Sequence, residues 1–258
     1  MIQSKFRRSF IGWTTIVVVV GLWYLLTSAT QMISPGRFPS PADFWSALKQ
    51  IADTGYADST LLTHVLHSLK LVVMSFLAAI AVGVPLGLWM GWSRRAEALI
   101  NPVFSMLRPI PPLAWIPLAI LWLGLDDAAK VLVIFVAAFV PALINAQTGV
   151  KNIEPYLIEA SQMLGISTWP LIREVIIPGA LPMIFTGLRL SLQASWTTLV
   201  AAELVGALAG LGRVLNVAAQ DLFPGMILVG MVAVAVLGGF TTWLLGLVER
   251  SVMPWHSH

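Results

Sequence analysis

The sequence predicts an all-α membrane protein with six transmembrane helices, on three observations: its composition, the spacing of its apolar runs, and the side on which its basic residues fall. Of 258 residues, 58% are hydrophobic and 10% are charged, and mean hydropathy is +0.86. Soluble domains average about 45–50% apolar and about 25% charged residues, so a water-soluble core is excluded. Eleven Trp and eleven Phe suit a chain whose aromatic rings can sit at headgroup level. The formal net charge of +3 comes from basic residues scattered between apolar runs, which argues for membrane topology and against nucleic acid. Without cysteine, disulfides, thiol nucleophiles and cysteine metal sites are excluded, and the redox compartment is left open.

A spanning helix needs about 20 apolar residues, because a rise of about 1.5 Å per residue must cover about 30 Å of hydrocarbon. The first candidate is an N-terminal helix over about 10–29. A cleaved signal peptide is its rival, but the run is long for an h-region and "TSATQ" is a poor cleavage site. The stretch "SPGRFPSPADFWSALKQIAD" reads as a proline-marked loop and a short amphipathic helix on the outer surface, with Phe44, Trp45 and Leu48 on one face. The second span runs over about 69–92 and the third over about 99–123. In the third, Pro109, Pro111 and Pro112 cannot all take part in helical hydrogen bonding and should irregularise the backbone. The fourth, fifth and sixth cover about 130–150, 180–205 and 224–248. Prolines 109, 111, 112, 117 and 141 and glycines 83, 87 and 91 are places where these helices could bend. The core bundle covers about 64–248, within a single domain of 1–258.

Lys5, Arg7, Arg8, Arg94, Arg95, Lys151, Arg173 and Arg250 fall on one side if the spans alternate. Arg37, Lys49, Lys130 and Arg213 fall on the other, diluted by Asp43, Asp53, Asp58, Asp126, Asp127 and Asp221. The positive-inside rule then makes both termini cytoplasmic. The same topology puts a polar segment, about 151–178, in the cytoplasm between the fourth and fifth spans. Within it, Leu157, Ile158, Met163, Leu164, Trp169, Leu171, Ile172 and Val175 recur at helical spacing. Two short helices are expected, turning at Gly165 and stopping at Pro178 and Gly179. Such a pattern fits an interfacial helix lying on the membrane, or a ridge that enters a partner's groove.

Glu159, Ala160 and Ser161, then Gly165, then Val175, Ile177 and Pro178 resemble the EAA loop of binding-protein-dependent ABC importer permeases, with Ser161 in place of the second Ala. Further runs, "LRPIPPLAWIPLAILWLGL", "IIPGALPMIFTGLRLSL", "WTTLVAAELVGALAGLG" and the closing "PWH", resemble the nitrate, sulfonate and taurine group of that family, and its taurine permeases most. The resemblance covers nearly the whole chain from about Trp13. It implies a type I ABC importer transmembrane domain in a bacterial inner membrane. The loop would be a coupling helix, with Glu159, Ala160, Ser161, Leu164, Gly165, Trp169 and Pro178 facing a separate ATPase. Implied partners are a second copy of the chain, two ABC ATPase subunits, a periplasmic or lipid-anchored binding protein and membrane lipid, with no nucleic acid. The implied cargo is a small organic anion, taurine or a related sulfonate, with nitrate, an aliphatic sulfonate or an aromatic carboxylate as alternatives.

The chain contains no G-x-x-x-x-G-K-[ST] phosphate loop, so ATP and magnesium belong to the partner subunits, and this chain needs no cofactor. No catalytic constellation appears. His64 and His67 are one turn apart but have no Asp, Glu or Cys beside them in sequence, which favours a headgroup-level pair over a metal site. The tail with His256 and His258 reads as an interfacial stop. Ionisable residues within spans are functional candidates. Arg108 near the cytoplasmic end of the third span and Arg189 in the fifth could lend positive potential to a path for an anion, or Arg108 could snorkel. Trp196 and Thr197 could line that path or pack helices. Glu203, about 21 Å beyond Arg189 along a straight helix, could pair across a dimer, meet Arg213 or shape a gate. An ion-coupled carrier is the rival class, which should show internal repeats and midplane carboxylates.

Overall fold

The computed structural model describes residues 2–30, 32–34 and 36–256. Gln31, Pro35, His258 and the side chains of Lys5, Arg7, Arg8 and His256 lie outside what it describes. All named elements are helical. α1 (Ile2–Tyr24) runs on through a π turn to Ala29, and α2 (Pro41–Asp53) follows. α3 (Leu61–Trp92) leads into α4 (Arg94–Leu107) and α5 (Ile116–Leu123). α6 (Asp127–Lys151), α7 (Pro155–Met163), α8 (Thr168–Leu171) and α9 (Ile177–Leu204) come next, then α10 (Leu211–Gln220) and α11 (Pro224–Val252).

Among the described residues, four helical segments are long and apolar enough to span a membrane: Leu61–Trp92, Asp127–Lys151, Thr168–Leu204 and Pro224–Val252. The third expected span is instead a broken one, α4 and a second arm over Pro112–Leu123 meeting at 84°. The prolines at 109, 111 and 112 account for the break, since each lacks an amide hydrogen and restricts the residue before it. The N-terminal helix contributes a shorter apolar stretch, Thr14–Ala29. Length and composition therefore give four spans among the described residues, or five with the broken pair counted as one, and not the expected six.

α6 is the centre of the bundle, packed against α3 on one side and α9 on the other. Small residues set the α3 contact. A Cβ added at Gly87 would lie 2.8 Å from the Ala146 Cβ, and one at Gly91 would lie 2.6 Å from the Val150 Cβ. Those glycines, with Gly83, allow close helix packing within one unbroken α3. α3 also begins at Leu61, ahead of the apolar run, because hydropathy does not register the helical stretch that carries His64, His67 and Ser68.

α2 forms as expected, started by a reciprocal cap in which the Asp43 amide donates to Ser40 Oγ and the Ser40 amide to Asp43 Oδ2. Its buried face is different. Ala47 and Ile51 are fully buried against α10 and α11, with Phe44 and Leu48 beside them, while Trp45 is exposed and stacks under Lys49.

Candidate functional site

Between α6 and α9 the chain leaves the bundle and returns. α7 starts with Pro155 at its first turn, which needs no amide hydrogen there. It ends at Leu164, and Gly165 then takes φ +74°, a turn most residues resist. α8 follows at once and continues through a π turn, Ile172–Ile176, into α9. The expected stop at Pro178 and Gly179 is thus absent. The π turn shifts the hydrogen-bond register, with the Ile177 amide bonding the Ile172 carbonyl, so Pro178 enters at the first turn of α9 without breaking the helix.

This hairpin displays an apolar ridge. Met163 is 86% exposed, Leu164 80% and Trp169 70%, with Leu157 and Tyr156 also exposed. Glu159 and Ala160 stand on the open surface, and the Glu159 carboxylate has no hydrogen bond or ion pair among the described residues. Ser161 turns inward, its hydroxyl donating to the Leu157 carbonyl at 2.7 Å. Ile158, Ile166 and Val175 pack inward against the cluster of Val150, Leu171 and Ile176. One side of the hairpin is thereby fixed to the bundle, and the other is left unsatisfied. Its entry is braced where the Lys151 ammonium and the Gln147 amide both donate to the Glu97 carboxylate, tying α6 to the start of α4.

The residues expected along a path divide by helix face. On α9, Thr186, Arg189, Gln193 and Thr197 are exposed at helical spacing and form one polar stripe. Arg189 pairs with Glu249 of α11. Trp196 is on another face, 5% exposed, donating its indole N–H to Thr241 Oγ1 at 3.0 Å. Arg108 is exposed at the break after α4 and borders a cavity against the middle of α6, not the cytoplasmic end of a straight span.

Glu203 is 1% exposed and does not meet Arg213, which pairs with Asp58 and donates to the Ala207 carbonyl. It serves the start of α10. One carboxyl oxygen accepts from the Gly212 amide at 2.7 Å, and the other from Ser68 Oγ, also at 2.7 Å. Ser68 Oγ accepts in turn from the Leu211 amide at 2.8 Å. His64 Nδ1 accepts from the Gly210 amide at 3.0 Å, so its proton sits on Nε2 and is donated to the Tyr56 carbonyl at 2.9 Å. The orphan amides that open a helix are thus answered by side chains of α3 and α9. His67 Nε2 lies 3.1 Å from Asp127, which also draws in Lys70 and Lys130, each at 3.6 Å. No group of three metal-ligating side chains forms among the described residues. Outside the spans, Tyr56 donates to Asp221 at 2.5 Å. Burial first, then this bond and the Asp221 charge, push its phenol pKa well above the ordinary value.

Residues 83–254 match the family described as the binding-protein-dependent transport system inner membrane component. The chain belongs to that family. The taurine transport system permease protein TauC of Escherichia coli (strain K12) is 37% identical over 94% of this chain and 88% of its own length. A putative aliphatic sulfonates transport permease protein SsuC of Bacillus subtilis (strain 168) is 31% identical, covering 99% of this chain and 92% of its own length. The bicarbonate transport system permease protein CmpB of Synechococcus elongatus is 30% identical, covering 90% and 86%. As a member of the ABC transporter permeases, the chain is a non-catalytic, integral membrane subunit. The family region holds the end of α3, the whole of the broken span and α6 to α11.

Sequence spacing singles out the hairpin and Arg189, names Asp127 and Lys130 only as outer-side charges, and does not single out Gln193, Glu249 or Ser68. Ser68, one turn beyond His64 on α3, was the available signal: two polar residues on one face of an otherwise apolar helix mark a buried partner.

Proposed function

We propose that the chain is the translocation subunit of an ATP-driven importer, working as a homodimer. Two ABC ATPase subunits, which bind the ATP and magnesium, sit at the hairpin end, and a periplasmic or lipid-anchored binding protein sits at the opposite end. The proposed cargo is a small organic anion, taurine or a related sulfonate, in line with the relatives named for taurine and aliphatic sulfonates. Nitrate, another aliphatic sulfonate or an aromatic carboxylate remain the alternatives within the same class. The observation that carries the proposal is the exposed ridge of Met163, Leu164 and Trp169 on a hairpin with EAA spacing. Apolar side chains so exposed in water call for a groove to cover them.

The hairpin is well made for transmitting force. Thr168–Leu204 is one helical segment of 37 residues, roughly 55 Å long, and the other arm returns through a short connection to α6. A push on the ridge therefore moves α6 and α9 without an intervening flexible linker. In this reading ATP closes the ATPase pair, α6 and α9 swing, and the α9 stripe with Arg189, Gln193 and Thr197 lines the path for an anion. Arg108 flanks that path, while Trp196 and Glu203 support the helices that form it. Both termini would be cytoplasmic, which the clustering of Arg94, Arg95, Lys151 and Arg173 near the hairpin supports.

The test is to purify the tagged chain from its native membrane in mild detergent and identify what accompanies it. An ABC ATPase should be retained by the wild type and lost from a Glu159→Ala, Gly165→Trp variant that still purifies as a folded protein. Uptake of taurine and of alkyl and aryl sulfonates then ranks the cargo. A wild-type chain that never retains an ATPase under several mild conditions would overturn the reading in favour of ion-coupled transport.

A further inference from the structure

One cavity is explained neither by coupling nor by the outer polar network. It has a volume of about 370 Å³, within the range of about 300–1,000 Å³ typical of ligand clefts. It forms where the third span breaks, between Arg108 and Trp115 on the two sides of the break, Phe135 and Phe139 on α6, and Ala194 on α9. Phe135 and Phe139 lie about 12–18 Å along α6 from its start at Asp127, near the middle of a hydrocarbon core about 30 Å thick. Ala194 adjoins Gln193 on the polar side of α9, so the cavity borders the proposed path.

Its lining has a definite chemistry. Phe139 stacks on Phe135 at 5.6 Å between centroids and meets Phe104 edge-on at 6.4 Å. Arg108 is the one charged residue among those lining the cavity, which include no carboxylate. Its guanidinium has no hydrogen bond or ion pair among the described residues. Trp115, at the same break, holds a buried indole N–H without an acceptor. A guanidinium at such depth is costly unless an anion or water meets it, and it matches the paired oxygens of a sulfonate or carboxylate. The phenyl rings offer stacking and apolar contact to a flat or bulky body.

We propose that this cavity is a binding site of the permease itself for an organic monoanion with an aromatic or branched apolar body, its sulfonate or carboxylate held by Arg108. A zwitterion such as taurine is disfavoured there, because its ammonium meets no acceptor of opposite charge and its body is too small to cover the rings. The inference rests on the translocation reading and departs from it on cargo, selecting an aryl or branched sulfonate or carboxylate over taurine.

Equilibrium dialysis of labelled p-toluenesulfonate against the full-length chain in lipid nanodiscs tests it. Saturable binding is expected, weakened at least tenfold by Arg108→Gln and by Ala194→Phe, which fills the cavity from α9. Taurine should compete at least a hundredfold less well than unlabelled p-toluenesulfonate. Both substitutions are at non-buried positions, and unchanged melting temperatures would confirm that the fold survives. Taurine competing equally would overturn the proposal, as would binding that neither variant changes, which is the behaviour of a probe dissolved in the bilayer. A phospholipid held in the cavity that p-toluenesulfonate fails to displace, read by native mass spectrometry, would overturn it too. If binding fails while the ATPase still copurifies, the site falls and the importer stands. If binding holds while no ATPase ever copurifies, the importer reading falls and the site stands.

Discussion

The two ends of the α6–α9 core are built on opposite principles. At the α10 end, polar groups are satisfied within the chain: Glu203, Ser68 and His64 meet the amides of Gly210, Leu211 and Gly212 at 2.7–3.0 Å. At the hairpin end, Met163, Leu164 and Trp169 are left bare. A buried hydrogen-bonded network holds one arrangement, because each lost partner leaves a desolvated group. An exposed apolar ridge gains its stabilisation from another molecule. On the proposed reading the contrast gives rigidity to one end and exchange with a partner to the other, a division suited to a lever.

The contrast breaks most severely at Gly210. It holds φ +126°, and a Cβ there would overlap the Glu203 carboxyl group. Gly210→Ala should yield little folded protein by size-exclusion profile in detergent, whereas Gly165→Ala, with nothing near its Cβ, should fold and pay only for its strained turn. Equal yields of the two variants would show that the outer end is not the rigid one.

Next in size is Glu203→Ala, which leaves the Gly212 amide and the Ser68 hydroxyl short of an acceptor. The expected loss is about 3 kcal/mol, or a melting temperature lower by about 6–12 °C. Glu159→Ala, on the open hairpin, should shift melting by less than about 1 °C, since isolated exposed charges contribute little.

The smallest effect is expected at Tyr56. Losing its bond to Asp221 in Tyr56→Phe should cost about 1 kcal/mol. Because the folded phenol titrates above its ordinary value, the neutral form is the one that folding favours. Its contribution is complete below about pH 10 and fades as pH rises further. Melting curves of wild type and variant should therefore converge in strong alkali and stay parallel from pH 6 to 9.

The same division decided what could be read from the sequence. The hairpin was legible because its determinants are local: Gly165 turns the chain, and Leu157, Met163, Leu164 and Trp169 repeat at helical spacing. The positions of the four long apolar helices were legible for the same reason, whereas the expected count of six is not reached among the described residues. The outer network was not, because Ser68 meets Glu203 across 135 positions and His64 meets Gly210 across 146. No period links such residues. α10 escaped notice as well, being short and packed end-on to side chains from α3 and α9. The prolines after Arg108 announced an irregular backbone but not an 84° turn, which depends on how α5 seats against α6. Pro178 misled because a π turn, set by how the whole hairpin packs, absorbed the missing amide.

The central claim is that the ridge is a free surface of this chain and a buried one in the assembly. Since the chain has no cysteine, a single Leu164→Cys reports on that surface alone. Its labelling by a membrane-impermeant maleimide can be timed in the isolated chain and in the complex purified with its ATPase, with Leu211→Cys as the buried control. The account predicts rapid labelling of Leu164→Cys alone and at least tenfold slower labelling in the complex, with Leu211→Cys slow in both. Equal rates for Leu164→Cys with and without the ATPase would contradict it.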